Sequence, residues 1–129
     1  MRKSLIIALF SLATLGSAMA QDAGFSAEQA ARGEAPYREN CGECHGVRMN
    51  GGMGPALNAE SITHWQDASA SDFYAFVKDT MPAGNPGGLE DDVYLDIVAY
   101  LLTAAKLAPA DSANDATLDD LTNIVLQTQ

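Results

Sequence analysis

Residues 39–55 read ENCGECHGVRMNGGMGP and hold both cysteines of the 129-residue chain, Cys41 and Cys44. Two residues separate them, and His45 follows the second. A disulfide between them would close a loop so short that it would constrain the unfolded chain little. A thioredoxin-type redox pair has the same spacing but needs a βαβ setting, which the flanking sequence does not offer, and it leaves His45 without a task. Cys-x-x-Cys-His is the attachment pattern of c-type haem. Each thiol adds to one vinyl group, so two thioethers clamp one edge of the porphyrin and the adjacent imidazole becomes an axial ligand. The motif predicts one haem c, attached through Cys41 and Cys44, with His45 on the metal.

The rest of the sequence supplies the setting. Arg2 and Lys3, an apolar run from Ser4 to Leu15, and small residues ending at Ala20 have the three-part layout of a secretory leader cut after Ala20. The apolar run falls short of the ~20 residues of a spanning helix. The expectation is a periplasmic protein that begins at Gln21 and has no membrane span. Without Arg2 and Lys3, five basic residues face seventeen acidic ones. Such a surface repels nucleic acid and suits basic partners, and it also keeps an exported protein soluble.

No strand alternation is evident, and helical periodicity recurs. Ser26 and Gln29 have the spacing of a capping box. Gly33, Tyr37 and Cys41 then fall on one helical face, and Gly33 leaves room for a close helix crossing. Pro36 predicts a kink or a restart. Ser71 is the expected cap of a short helix to Lys78 with Phe73, Phe76 and Val77 inward. The strongest helix is Glu90–Lys106, with acids at its start and an apolar stripe through Val93, Ile97, Tyr100 and Leu101. Leu118, Leu121, Ile124 and Val125 give a last amphipathic stretch, read as a tail packed on its own domain. The fold class is all-α: three to five short helices and long loops around one haem.

In order, Gly33, Tyr37, Cys41-Gly-Glu-Cys44-His45, Gly54-Pro55, Met81-Pro82 and Ala99-Tyr100-Leu101 give the chain its resemblance to class I, monohaem, mitochondrial-type cytochromes c. The likeness runs from about Ser26 to Leu107. It implies the cytochrome c fold, in which the first and last helices cross and Gly33 meets Tyr100. It divides the chain into a leader (1–20), a cytochrome c domain (21–108) and an acidic tail (109–129). The Met81–Leu89 loop and the Tyr94–Tyr100 helix also resemble periplasmic cytochromes that serve quinoprotein dehydrogenases.

The resemblance further implies that the Pro55 carbonyl accepts the second ring N–H of His45, and that Trp65 reaches a haem propionate. Arg48 is a propionate candidate by chemistry and equally a solvated arginine. For the second axial ligand the choice is Met81, 36 residues past His45 in a loop stiffened by prolines. Its neutral thioether favours the reduced iron and raises the potential. Met49 and Met53 lie too near His45 in the chain, whereas His64 is the serious rival. No nucleophile–base pair stands out. The function expected is therefore a soluble one-electron carrier, not an enzyme. It would run between a periplasmic dehydrogenase, by resemblance a quinoprotein, and a cytochrome or terminal oxidase. The alternative is a haem sensor or haem enzyme whose sixth position is open or held by His64.

Overall fold

The computed structural model describes residues 23–129, and the expected leader lies outside the described residues. Five α-helical segments follow in order: α1 (Ala27–Arg32), α2 (Glu34–Asn40), α3 (Gly42–His45), α4 (Ala70–Thr80) and α5 (Asp91–Ala104). Single 3-10 turns occupy Thr63–Trp65 and Asp120–Asn123. Among the described residues there is no strand, only an isolated antiparallel bridge between Ser69 and Val125. The fold is all-α, as the periodicity indicates.

Local chemistry sets the helix boundaries. The Ser26 hydroxyl accepts the Gln29 N–H at 2.9 Å and caps α1. The expected box is only half made, because the Gln29 amide turns inward. Its Nε2 donates to the Ala116 carbonyl at 2.9 Å and its Oε1 accepts the Ala116 N–H at 2.8 Å. A buried amide matched to both backbone groups of a distant residue loses nothing by leaving the cap. The chain restarts as α2 at Glu34, so Pro36 sits in a first turn, where a missing N–H leaves no helical bond unmade. Helix α4 starts two residues earlier than expected. Ser69, not Ser71, is its cap, because Asp72 stands three residues on and completes the reciprocal box. Helix α5 stops at Ala104, with Lys106 beyond it in a left-handed conformation (φ 56°).

Packing centres on α5, which contributes Tyr94, Ile97, Val98, Leu101 and Leu102 to the core. It crosses α1 and α2 at Gly33, where a Cβ would lie 1.9 Å from the Asp96 carbonyl oxygen and 2.7 Å from Tyr100 Cβ. Only a residue without a side chain permits that approach. The Tyr37 and Tyr100 rings meet beside it, centroids 5.4 Å apart, so the implied meeting of Gly33 and Tyr100 is observed. Arg32 pairs with both Asp96 (3.0 Å) and Asp115 (2.7 Å) across the outside of this crossing.

The tail packs on its own domain but not as an amphipathic helix. After one 3-10 turn it runs extended, so Ile124 and Leu126 point inward and Val125 outward, the two-residue period of extended chain. Leu118 is exposed too, and the buried set is Leu121, Ile124 and Leu126. Backbone bonds hold the strap: Asp67 N–H to Leu126 O (2.8 Å), Leu126 N–H to Ala68 O (2.9 Å) and Gln127 N–H to Leu107 O (2.8 Å). The tail thereby ties the segment after Trp65 to the end of α5.

Candidate functional site

Helix α3 is a single turn that carries the motif. The His45 N–H donates to the Cys41 carbonyl at 2.9 Å, closing that turn. Gly46 then takes a positive φ of 79°, which reverses the chain with little strain only because it lacks a Cβ. The loop folds back in layers. Gly51 N–H donates to His45 O (2.8 Å), Gly54 N–H to Cys44 O (2.9 Å), and the Tyr37 hydroxyl to Gly46 O (2.7 Å).

This return places Pro55 beside the imidazole. His45 Nδ1 lies 2.7 Å from the Pro55 carbonyl oxygen. A carbonyl only accepts, so Nδ1 carries the proton and Nε2 is the free lone pair. Such an outer bond fixes ring orientation and raises ligand basicity. Gly54 lies against the same ring: a Cβ there would sit 2.9 Å from His45 Cε1 and 3.0 Å from Nδ1. His45 itself is buried, at 6% exposure.

His45 lines a cleft of about 300 Å³ together with Cys41, Pro55, Leu57, Ile62, His64, Trp65, Phe73, Phe76, Val77, Met81 and Leu101. Apart from the two imidazoles and Ser61 the lining is overwhelmingly apolar, as a flat organic cofactor requires. The cleft thus unites Cys41, His45, Pro55, Met81 and Trp65. Cys44 is exposed and is not among the lining residues. Phe76, expected in the core, is half exposed because it lies on the cleft. Trp65 is held by Phe73, edge to face at 5.1 Å, and by Phe76 at 5.2 Å.

Of the other candidates, Arg48 is exposed and outside the lining. Met49 is buried in the core and Met53 is 81% exposed, so neither lines the cleft. His64 does line it, from an exposed 3-10 turn, with Nδ1 3.2 Å from the Ser61 carbonyl. Met81 ends α4. Its N–H donates to Val77 O at 2.8 Å, and its carbonyl accepts the Tyr94 hydroxyl at 2.7 Å. Nothing local to residue 94 tells what its hydroxyl meets, so the contact is not legible in the sequence.

Both cysteines are free thiols in the structure. Burial, and then the neighbouring Cys44, push the Cys41 thiol up to about 11. A redox-active pair needs the opposite shift, toward the thiolate.

A family model described as cytochrome c oxidase, cbb3-type, subunit III matches residues 28–101. The chain belongs to this cytochrome c family. Over 86 residues, 66% of this chain, it is 40% identical to a dihydro-heme d1 dehydrogenase of Pseudomonas aeruginosa, 17% of which is covered. Over 61 residues, 47% of this chain and 50% of the relative, it is 41% identical to a cytochrome c55X of Stutzerimonas stutzeri. The chain thus spans half or less of the length of these relatives. Its fold matches a chain in the crystal structure of the sulfane dehydrogenase SoxCD from Paracoccus pantotrophus with a TM-score of 0.57. That match covers 95% of this chain and 68% of the other at 23% identity, which shows the shared fold.

Membership implies haem c as the cofactor and electron transport as the class of function. The residues present fit that group: a buried imidazole with one nitrogen engaged and one free, a thiol on the wall, and an apolar cleft. No helix among the described residues is long and apolar enough to cross a membrane.

Proposed function

We propose that the protein is an exported, periplasmic one-electron carrier in which Cys41 and Cys44 attach a single haem c and His45 and Met81 ligate its iron. One observation carries this reading: His45, oriented by Pro55, shares an apolar cleft with Cys41 and with a methionine whose backbone is held at both ends. When bound, the haem supplies a one-electron couple with a high potential under His/Met ligation.

The chain's residues do the rest. Pro55 keeps the His45 ring in one tautomer and orientation. Phe73, Phe76, Val77 and Leu101 line the cleft with apolar surface that excludes water. Trp65, steadied by two phenylalanines, is assigned to a haem propionate. Residues 1–20 are assigned as a removed leader, 21–108 as the haem domain and 109–129 as its strap.

The donor is proposed to be a periplasmic dehydrogenase and the acceptor a cytochrome or terminal oxidase. A quinoprotein donor follows from the resemblance of the Met81–Leu89 loop. The relative named dihydro-heme d1 dehydrogenase adds a tetrapyrrole dehydrogenase to the donors to test first. From Glu90 onward eight acids accompany one lysine, a patch that would steer a basic partner. Such encounters are small and transient.

Met81→Ala tests the assignment. The midpoint potential should fall, and carbon monoxide should bind the reduced variant readily where the wild type resists it; an unchanged potential would overturn Met81 as ligand. His64 on the same cleft supports one alternative, a sensor or haem enzyme with the sixth position open or His64-bound. With His64 bound, the wild type has a lower potential that His64→Ala alters and Met81→Ala leaves alone; with the position open, the reduced wild type binds carbon monoxide readily and Met81→Ala changes neither property.

A further inference from the structure

We propose that Tyr94 is a positioning residue for Met81, its buried hydroxyl fixing where the thioether can sit in the cleft. The inference rests on the reading of Met81 as an iron ligand. Tyr94 is 1% exposed, in the first turn of α5. Its hydroxyl donates to the Met81 carbonyl at 2.7 Å. Beyond Met81 the chain enters a Gly- and Pro-rich loop whose backbone bonds are internal: Asn85 N–H to Pro82 O and Gly88 N–H to Asn85 O. Among the described residues, the Tyr94 hydroxyl is the one hydrogen bond that ties residues 81–89 to anything outside 77–89.

The rest of the contact keeps that hydroxyl in place. The Tyr94 ring meets Tyr74 of α4 edge to face, centroids 6.4 Å apart and planes at 81°. The Tyr74 hydroxyl donates to Asp91 at 3.2 Å, and Lys78 pairs with the same carboxylate. Helices α4 and α5 are thereby joined at Asp91, one turn before Tyr94. A methionine at a helix end, free to swing with its loop, would exchange readily with solvent or added ligands. Pinned at its carbonyl, it keeps its place while iron changes charge.

The test uses the haem-loaded protein and added imidazole, which competes with Met81 for ferric iron. Tyr94→Phe preserves the ring and removes the donor. A net hydrogen bond of ordinary strength corresponds to imidazole binding about 5–10-fold tighter than in wild type. The weak red band of sulfur on ferric iron should fade in parallel. Tyr74→Phe removes only the hydroxyl that bonds Asp91 and leaves the donor to Met81 in place, so it should tighten imidazole binding less than Tyr94→Phe does. Affinity of Tyr94→Phe within twofold of wild type overturns the proposal and leaves Met81 ligation standing. If wild type lacks the band and binds imidazole as tightly as Met81→Ala, the ligation reading fails and this inference with it. Should Tyr94→Phe not fold, hydroxyl-proton exchange in the wild type decides: protection supports the bond, and rapid exchange overturns it.

Discussion

The segment that carries His45 and the segment that carries Met81 meet at one cleft but are built in different ways. Around His45 nearly every restraint is local. Residues 41–57 bond to one another in layers, Gly54 packs on the ring, and the Pro55 carbonyl accepts the ring N–H. Around Met81 the loop closes only on itself, and the restraint comes from α5, through Tyr94 and the Lys78–Asp91–Tyr74 group. One side of the cleft is built by its own sequence neighbourhood and the other by tertiary packing. The second should yield first to heat, acid or mutation, because fewer contacts must open to free it.

Replacing both Cys41 and Cys44 by alanine gives the largest effect expected. Covalent haem retention should vanish, read as loss of colour from unfolded protein; wild-type retention would remove the attachment sites from the account. Gly33→Ala comes next, since α5 serves both segments. Its Cβ would strike the Asp96 carbonyl, so α5 must move off α1, at a cost of about 3 kcal/mol in denaturant midpoint analysis. A neutral result would mean the crossing is looser than its geometry.

Gly54→Ala acts on the His45 segment alone. The new methyl presses on the imidazole and weakens its bond to Pro55, costing about 1 kcal/mol and shifting the His45 proton resonances while the sulfur band persists. Loss of the band first would contradict the independence of the two segments.

Asp91→Asn acts on the Met81 segment alone and should be smallest. The bond from Lys78, helped by the Tyr74 hydroxyl, holds the Asp91 carboxyl below its ordinary range. The native state therefore binds fewer protons than the unfolded one, and the contribution is present above the unfolded carboxylate range. It is lost as pH falls through the lowered native value. Wild type should exceed Asp91→Asn slightly at neutral pH and converge with it in acid, and screening keeps the difference small at this exposed pair. A gap that widens in acid would reverse the sign.

The same contrast explains what the sequence discloses. Cys41, Cys44 and His45 are close in the chain, so their chemistry reads directly from residue order, whereas the Pro55 contact follows only from the family resemblance. The stripe of α5 is periodic and just as plain. The Tyr94–Met81 bond, the Gln29 amide on Ala116 and the burial of Phe25 join residues 13 to 87 positions apart or lie outside any periodic run. No local pattern encodes them. Ser69 is legible in principle, since Asp72 stands three residues on, but Ser71, two residues before Phe73, is the more conspicuous cap. The tail misleads for another reason: Leu121, Ile124 and Val125 fit a helical face, yet paired backbone at Asp67–Ala70 draws the chain out and sets a two-residue period instead.

The most direct test of the central claim is the visible spectrum of the oxidised, haem-loaded protein, compared with that of Met81→Ala. Ligation by His45 and Met81 predicts the weak red sulfur-to-iron band in wild type and its loss in the variant. A wild-type spectrum without that band, or one that survives the substitution, would contradict the account.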